Sequence, residues 1–305
     1  MEISLVIPLY NEEAVIPELI NRTIGSLQDI TKSFEIIFVD DGSTDNTLSF
    51  LKESREKDGR IKILQLSRNF GHQAAYTAGM EKTTGKFVGL MDGDLQDPPE
   101  LFAKMYSILS EDKADVIYGK RTGKINMKGR SVLSLWFHKS FQRISGLEGI
   151  ENVGNFSMMN RTALQAMLAF SEKTRYLPGI RRFIGFRQEF VEYERDVRSV
   201  GSSKMKFGQL MTLSSDAIFS FSKVPIHICL YLGILGVIVF FLAGMYTLIA
   251  KIAGFAIPGW SSTLLSIYFL GSIQLTFLGV LGEYIYRIHK ESQNRPLYLV
   301  KDFYS

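Results

Sequence analysis

The chain has 305 residues, enough for one or two domains with a large buried core, and its formal net charge is only +4. A charge this mild and this evenly spread excludes an argument for nucleic-acid binding. The single cysteine, Cys229, excludes an internal disulfide. The N-terminal apolar run is short, is broken by Pro8 and is followed by acidic residues, so we expect no signal peptide and a cytoplasmic N-terminal part.

Apolar, β-rich runs alternate with helix-compatible segments in the N-terminal part of the chain. The runs are ISLVIPL (3–9), EIIFVD (35–40), IKILQLS (61–67), KFVGLMD (86–92) and ADVIYG (114–119). The helix-compatible segments are 12–30, 45–57 and 72–82. Continuous apolar runs suit strands that are buried on both faces, and strands alternating with helices are typical of a parallel sheet in an α/β layer fold.

A polar or glycine-containing segment follows each predicted strand. These segments are PLYNEE, DDGSTDNT, SRNFGH, DGDLQDPPE and GKRTGK. Ligands of open α/β sheets bind outside the carboxyl ends of the strands, so the five segments together predict one binding site. Neither GxGxxG nor GxxxxGKS/T occurs in the chain, which disfavours a dinucleotide-dependent dehydrogenase and a P-loop enzyme.

The stretch DGDLQDPPE after the fourth run combines two expected roles. Asp97 and Glu100 have the pattern of a helix start, with Asp97 as the N-cap. Asp92, Asp94 and Gln96 occupy alternating positions just past a strand, where side chains converge on one side. Two carboxylates and an amide oxygen are hard ligands, which favours Mg²⁺ or Mn²⁺ over zinc. An ordinary tight turn is the alternative for a lone DxD, and the position at a strand end favours the metal.

The composition changes sharply near residue 223. Segments 225–250 and 263–286 are nearly free of charge, and each is long enough to cross the roughly 30 Å hydrocarbon layer of a membrane. Several lysine and arginine residues flank the pair of spans, whereas the linker between the spans carries only Lys251, so the positive-inside rule puts both termini in the cytoplasm. We therefore expect an N-terminal domain over 1–207, an interfacial helix over 208–223, a membrane domain over 224–287 and a tail over 288–305.

Two segments predict helices that lie in the headgroup region of the membrane. Segment 131–145 has apolar and basic faces, and segment 208–223 runs directly into the first span. Packing of these segments inside the soluble domain is the alternative.

The motifs resemble, in their order along the chain, those of family 2 glycosyltransferases with the GT-A fold. The resemblance is carried by PLYNEE, VDDGSTDNT, SRNFG, DGDLQDPPE, GKR, NVGNFSMMNR and the two late spans. DLQDPPE followed by two C-terminal spans is similar to the polyprenyl-phosphate branch, which includes dolichol-phosphate mannosyltransferases and bacterial bactoprenol glucosyltransferases. The resemblance implies a Rossmann-like, mainly parallel GT-A domain followed by interfacial helices and two transmembrane helices.

The same resemblance implies roles for individual residues. The positions that hold the sugar nucleotide are Pro8, Tyr10, Glu12, Val39, Asp41, Asp92 and Gly93. The metal positions are Asp92, Asp94 and Gln96, and the expected catalytic residues are Asp94, Arg121, Arg198 and Lys204. The acceptor-phosphate candidates are Arg121, Lys204 and, with a weaker match, Arg130 and Arg161.

One position departs from the family pattern. Close bacterial relatives commonly have Asp where this chain has Asn155, and that Asp has been considered a catalytic base. An amide accepts no proton at neutral pH, but the second pKa of a phosphate monoester is about 6, so the acceptor oxygen is already mostly ionised. We expect positioning and leaving-group stabilisation to carry the reaction without a base.

The resemblance implies an inverting, metal-dependent transfer of a sugar from a UDP-sugar to polyprenyl phosphate at the inner membrane. Glucose is the expected sugar, and UDP-N-acetylglucosamine and GDP-mannose are alternative donors. A homotetramer through the C-terminal spans is left open. A processive polysaccharide synthase is disfavoured because QxxRW is absent, and a non-catalytic sugar-nucleotide-binding membrane protein is the alternative of another class.

Overall fold

The computed structural model describes residues 1–122, 153–173, 175–194, 224–253 and 259–305. These residues fall into two compact units. The first contains the described residues up to 194 together with Arg295–Ser305, and the second contains those between 224 and 294.

The first unit alternates strands with helices, as the apolar runs predict. Its elements in chain order are β1 (Ile3–Leu9), α1 (Ile16–Gln28), β2 (Phe34–Asp40), α2 (Thr47–Lys57), β3 (Ile61–Leu66), α3 (His72–Glu81), β4 (Phe87–Leu90), α4 (Leu101–Ser110), β5 (Val116–Arg121), β6 (Val153–Asn160), α5 (Arg161–Leu168), α6 (Leu177–Phe183), β7 (Gln188–Tyr193) and β8 (Val300–Tyr304). The five predicted strands and three predicted helices are all confirmed, with ends that differ by a few residues.

The strands form one eight-stranded sheet in the order β7-β5-β6-β4-β1-β2-β3-β8. β1 pairs in parallel with β2 and β4, β2 pairs in parallel with β3, and β5 pairs in parallel with β7. β6 lies antiparallel between β4 and β5, so β5 runs in the same direction as β4. The carboxyl ends of the five predicted strands therefore meet at one edge of the sheet, which we call the carboxyl edge.

Helices cover both faces of the sheet. Alternate side chains of β1, such as Leu5 and Val6, enter two separate buried clusters. One cluster includes residues of α1, α2 and α4, and the other includes residues of α3, α5 and α6. A sheet buried on both faces explains why its central strands are continuous apolar runs rather than alternating ones.

At the opposite side of the sheet from the carboxyl edge, where the strands begin, a buried polar network surrounds Glu35. This side chain is fully buried, accepts hydrogen bonds from the Ser4 hydroxyl and from the Thr84 amide and hydroxyl, and pairs with Lys62 Nζ at 2.6 Å. Burial raises the pKa of Glu35, but these hydrogen bonds outweigh burial and lower it overall. The network ties β1, β2 and β3 together at the ends where the strands begin.

Helix α4 does not begin at the predicted cap. Its first residue is Leu101, and a turn with hydrogen bonds from Leu101 to Pro98 and from Phe102 to Pro99 precedes it. Glu100 pairs with Arg22 on α1 at 3.0 Å. The N-cap prediction for Asp97 is wrong because its carboxylate is fully buried and is used by a partner far along the chain, as described below.

The C-terminal tail forms the strand β8, which the sequence analysis did not predict. β8 runs antiparallel to β3, with Leu64 opposite Phe303 and Leu66 opposite Val300. The carbonyl of Ser305 accepts a hydrogen bond from Arg55 at 2.5 Å, which fixes the end of the tail on α2. The tail thus covers what would otherwise be an unpaired sheet edge.

The second unit consists of two long helices, α7 (Val224–Ile252) and α8 (Trp260–Ser292). Both are long and apolar enough to cross a membrane, and the side chains of their apolar windows are almost all exposed in the isolated chain. Exposed apolar surface on this scale suits association with a membrane. Helix α8 extends beyond the predicted span to Ser292, and Glu283 pairs with Arg287 one turn further along the helix at 2.8 Å.

Candidate active site

The predicted strand ends come together at the carboxyl edge. In the sheet register, Pro8 lies opposite Val39, and Val6 lies opposite Leu90. Leu90 in turn lies opposite Ser157 of β6, and Ser157 lies opposite Tyr118 of β5. Residues just beyond these positions on β1, β2, β4 and β5, and just before them on β6, therefore line one edge.

The loops after β1 and β2 are tied to each other by hydrogen bonds. The Asn11 amide donates to the Ser43 hydroxyl at 3.0 Å, and the Glu12 amide donates to the Thr47 hydroxyl at 3.0 Å. The Thr44 amide returns a hydrogen bond to the Asn11 side chain at 2.8 Å. These bonds fix the two loops that carry the predicted nucleotide positions.

The predicted nucleotide positions lie together around these loops. Tyr10 is 40% exposed at the end of β1, whereas Asp41 is buried directly after β2. The Asp41 carboxylate accepts hydrogen bonds from the amides of Phe70 at 2.7 Å and Gly71 at 2.9 Å, and burial raises its pKa. Asp41 therefore holds the start of α3 in place in this structure.

Gly93 also has a local structural reason. A Cβ at this position would lie 2.3 Å from Cδ2 of Leu9 and 3.2 Å from the carbonyl oxygen of Pro8. A side chain would push the loop after β4 away from the end of β1, so glycine keeps the two strand ends in close contact.

Asp92 is the most enclosed carboxylate of the predicted metal set. Its Oδ1 accepts a hydrogen bond from the Tyr76 hydroxyl at 2.6 Å and lies 3.3 Å from Nε2 of His72. Burial by itself raises the pKa of Asp92, but His72 and Tyr76 outweigh burial and lower it to about 2. Asp92 is therefore ionised at neutral pH and is oriented from one side, which leaves its second oxygen for another partner.

Asp94 and Gln96 follow on the same loop and are partly exposed. Asp94 Oδ1 accepts a hydrogen bond from the Gln96 amide at 3.2 Å, and Leu95 between them has a φ of 58°. Among the described residues, no group of three or more His, Cys, Asp and Glu side chains could hold a metal by itself. Two carboxylates and an amide oxygen are nevertheless hard oxygen donors, the kind of ligand that a divalent cation such as Mg²⁺ or Mn²⁺ prefers.

Arg121 is held over the site by a network that the sequence analysis did not foresee. Its Nε donates to the Tyr193 hydroxyl at 3.1 Å, and its Nη2 lies 3.5 Å from Asp97. The Tyr193 hydroxyl in turn donates to Asp97. A Cβ on Gly154 would lie 3.1 Å from Arg121 Nη2, so the guanidinium also lies close to the start of β6.

His72 is the site residue that sequence reasoning missed. Its ring lies between Asp92 and Asn155, with Nδ1 3.5 Å from Asn155 Nδ2. Desolvation lowers the pKa of His72, but Asp92, Asp41 and Asp94 outweigh it and raise the pKa overall. The available signal was the place of His72 in SRNFGH, one of the five polar segments that follow the strands.

Not all candidates reach the carboxyl edge. Arg161 lies at the start of α5 and donates hydrogen bonds to the carbonyls of Thr83 and Gly85, at the end of the sheet where β4 begins. The expectation that Arg161 holds the acceptor phosphate is therefore corrected. Arg130, Arg198, Lys204 and the predicted interfacial helices over 131–145 and 208–223 lie outside the described residues.

Comparison with known proteins decides the family. The profile of glycosyl transferase family 2 matches residues 4–168, more than half of the chain. The chain belongs to glycosyl transferase family 2. It is a glycosyltransferase with a GT-A fold, as the motifs predict.

Several relatives match this family 2 enzyme from end to end. The bactoprenol glucosyl transferase of Shigella phage SfX is 36% identical over 308 residues, which cover 99% of each chain. The prophage bactoprenol glucosyl transferase homolog of Escherichia coli K12 is 35% identical over 309 residues, with 99% of each chain covered. The uncharacterized glycosyltransferase YkcC of Bacillus subtilis is 38% identical over 309 residues, which cover 100% of this chain and 94% of the relative.

A solved structure agrees on the fold. Glucosyl-3-phosphoglycerate synthase of Mycobacterium tuberculosis, in complex with Mn²⁺, UDP and phosphoglyceric acid, superposes with a TM-score of 0.50. The two proteins are 19% identical, and the match covers 71% of this chain and 76% of the synthase. This likeness concerns the fold alone.

Proposed function

We propose that this family 2 enzyme transfers glucose from UDP-glucose to a polyprenyl phosphate and releases UDP. The observation that carries the proposal is the cluster of Asp92, Asp94 and Gln96 beside Asn155 and Arg121 in a chain that matches bactoprenol glucosyl transferases over 99% of its length. A donor with a diphosphate and an acceptor with a phosphate both need compensating positive charge, and this edge of the sheet combines oxygen ligands suited to a divalent cation with the fixed guanidinium of Arg121.

The donor occupies the edge formed by the loops after β1, β2 and β4. The exposed ring of Tyr10 provides a surface on which the base stacks, and the backbone around Val39 borders the same edge. Asp92, Asp94 and Gln96 would hold a Mg²⁺ or Mn²⁺ ion, which would supply positive charge to offset the negative charge of the departing diphosphate.

The acceptor approaches from the side of β6. A phosphate oxygen of the lipid forms a bond to the anomeric carbon while the bond from that carbon to the diphosphate oxygen breaks, and the electron pair leaves with UDP. Displacement from the opposite face inverts the configuration. Arg121, fixed by Tyr193 and Asp97, orients phosphate oxygens. Arg198 and Lys204 remain predictions for the same task.

Asn155 orients the reacting groups rather than removing a proton. An amide is not a base at neutral pH, and the acceptor oxygen is already mostly ionised since its second pKa is about 6. Asn155 instead stands beside His72, which in turn contacts the ionised Asp92. In this arrangement the side chains supply position and charge, and the acceptor supplies its own nucleophile.

The two long apolar helices support a location in the membrane, where the lipid acceptor would be held. Arg287, Lys290 and Arg295 follow the second span, and the linker between the spans carries Lys251 alone. This asymmetry supports a cytoplasmic location for the catalytic unit and both termini, at the inner membrane. A homotetramer through the spans stays a prediction that mass measurement in detergent would check.

Turnover with defined donors tests the proposal. The purified protein is incubated with undecaprenyl phosphate, Mn²⁺ or Mg²⁺, and UDP-glucose, UDP-N-acetylglucosamine or GDP-mannose, and lipid-linked sugar and free nucleotide are measured. We expect a product from UDP-glucose that EDTA abolishes. A product from another donor alone would change the sugar but keep the reaction class. UDP binding without any product would instead support the non-catalytic alternative.

A further inference from the structure

Arg181 on α6 is a buried cation that the proposed reaction has not used. Its side chain is 1% exposed and is the largest of the fully buried side chains in the described residues. Nη2 donates to the carbonyl of Gly154 at 2.6 Å, and Nη1 donates to the carbonyl of Asn155 at 3.3 Å. Both carbonyls lie at the end of β6 that borders the active site.

No carboxylate of the described residues forms an ion pair with Arg181, in contrast to Arg121 and Lys62. The guanidinium carbon lies instead 5.6 Å from the centre of the Tyr118 ring, and the charge also interacts electrostatically with Tyr176 and Tyr76. Burial lowers the pKa of Arg181 to about 10, so the side chain is still charged at neutral pH. Burying a charge without a paired carboxylate costs desolvation free energy. An arginine that served packing alone would therefore destabilise the fold at this position.

Arg181 acts on two parts of the site, the start of β6 and the Tyr76–Asp92 hydrogen bond. On one side it fixes the backbone of Gly154 and Asn155, and Gly154 lies against Arg121. On the other side the charge of Arg181 acts on Tyr76, whose hydroxyl donates a hydrogen bond to Asp92 at 2.6 Å. A positive charge in a low-dielectric interior acts over several ångströms more strongly than the same charge in water.

We infer that Arg181 is a positioning residue for the acceptor side of the active site, because it holds the backbone that carries Asn155 and places a positive charge beneath the point where two anionic substrates meet. The inference rests on the proposed function. Arg181 acts through β6 and does not itself touch the substrates. The donor nucleotide lies at β1 and β2, so its binding should depend little on this residue.

The test compares Arg181→Met, Arg181→Lys and the control Arg182→Met, which changes the exposed neighbour on the same helix. Each variant is measured for its unfolding temperature, for UDP affinity by calorimetry with Mn²⁺, and for kcat and KM with undecaprenyl phosphate and UDP-glucose. We expect Arg181→Met to bind UDP within about threefold of wild type and to lose about 10- to 100-fold in kcat, as for removal of a group that orients reacting partners. Arg181→Lys should recover at least about fivefold of that loss, since it keeps the charge and one donor.

Three results would overturn the inference. The first is a folded Arg181→Met protein with wild-type kcat and KM. The second is a parallel fall of UDP affinity, unfolding temperature and kcat, with no recovery in Arg181→Lys, which would make the role general packing. If Arg181→Met does not fold, Arg181→Gln replaces it, and the third is a folded Arg181→Gln protein with wild-type kcat and KM. A wild-type protein that binds UDP but transfers no sugar would overturn the proposed function as well, and the wild-type assay separates that failure from these three.

Discussion

Among single residues, Asp94 is the one whose replacement should lower catalysis most clearly. It is a partly exposed carboxylate on the loop after β4, and its Oδ1 already accepts a hydrogen bond from the Gln96 amide. Replacing it by Asn removes a charge from the expected metal set while keeping the shape of the loop. We expect Asp94→Asn to lower kcat at least about 100-fold without changing the unfolding temperature.

A matched control for this substitution is Asp29→Asn, an exposed aspartate at the end of α1. Its transfer rate should equal that of wild type, measured as lipid-linked glucose formed per minute. Wild-type activity in Asp94→Asn would remove Asp94 from the metal site.

Asn155→Asp tests whether the reaction needs a base. If the acceptor phosphate supplies its own ionised oxygen, a carboxylate at this position adds no proton acceptor that the reaction needs, and kcat should stay within about tenfold of wild type. The measurement is kcat with saturating undecaprenyl phosphate at neutral pH. A gain of several hundredfold would show that the amide limits the wild-type enzyme, and complete loss would show that the amide itself binds a substrate.

Glu35 predicts a stability effect remote from catalysis. Removing its carboxylate leaves Lys62 and the Ser4 hydroxyl without their buried partner, so Glu35→Ala should destabilise the first unit by about 3–5 kcal/mol. Because the pKa of Glu35 is lowered in the folded state, its stabilisation is present above the ordinary value of 4.5 and is lost as the pH falls below it. Thermal unfolding followed by circular dichroism at several pH values checks both effects.

The exposed Glu53–Lys57 pair on α2 provides the control for Glu35. Glu53→Ala should leave the unfolding temperature unchanged, since exposed ion pairs are screened by water and salt. Equal unfolding temperatures for Glu35→Ala and wild type would contradict the structural role of the buried network.

The contacts of single residues were the least predictable part of the site from sequence. Asp92, Asp94 and Gln96 could be chosen because they share one short loop. The partner of Asp97 could not, since Tyr193 lies 96 residues away and the local pattern around Asp97 is that of a helix cap. His72 contacts Asp92 across 20 residues of chain only because α3 packs against β1 and β2.

Among the strands, those that are buried on both faces were the ones that the sequence pattern predicted. β1 and β2 are buried at every position and are mostly apolar, because both faces of these central strands are covered. β6 reads VGNFSMMN and carries the polar Asn155, whereas the edge strand β7 exposes half of its residues and the edge strand β8 exposes most of them. Such strands lack the continuous apolar run that marks a central strand, so the sequence pattern did not reveal them.

Strand β8 makes a testable contribution to the sheet. A chain that ends after Tyr298 loses the backbone hydrogen bonds between β8 and β3, each of which contributes about 1 kcal/mol, and exposes the edge of β3. We expect a lower unfolding temperature and a larger aggregated fraction in size-exclusion chromatography. Removing Ser305 alone is the control and should have little effect on either quantity, because it removes one exposed hydrogen bond and leaves the pairing of β8 with β3 in place. A truncated protein as stable and monodisperse as wild type would contradict this role of the tail.

The whole molecule joins a GT-A domain to two helices of membrane-spanning length, and its orientation across the membrane can be tested. The predicted cytoplasmic termini place the linker between α7 and α8 on the other side of the membrane. A green fluorescent protein fused to the C-terminus should fluoresce, and an alkaline phosphatase inserted after Gly259 should be active. Active phosphatase at the C-terminus would reverse the orientation.

In the proposed reaction, this family 2 enzyme moves a sugar intact from a nucleotide to a lipid phosphate. Its most direct test is mass spectrometry of the lipid fraction after incubation with undecaprenyl phosphate, Mn²⁺ and UDP-glucose carrying a ¹³C-labelled glucose, with Asp94→Asn in parallel. We predict that wild type forms undecaprenyl phosphate bearing the labelled hexose in equal amount to the UDP released, and that Asp94→Asn forms almost none. Release of UDP with the label in free glucose, or no labelled lipid at all, would contradict the account.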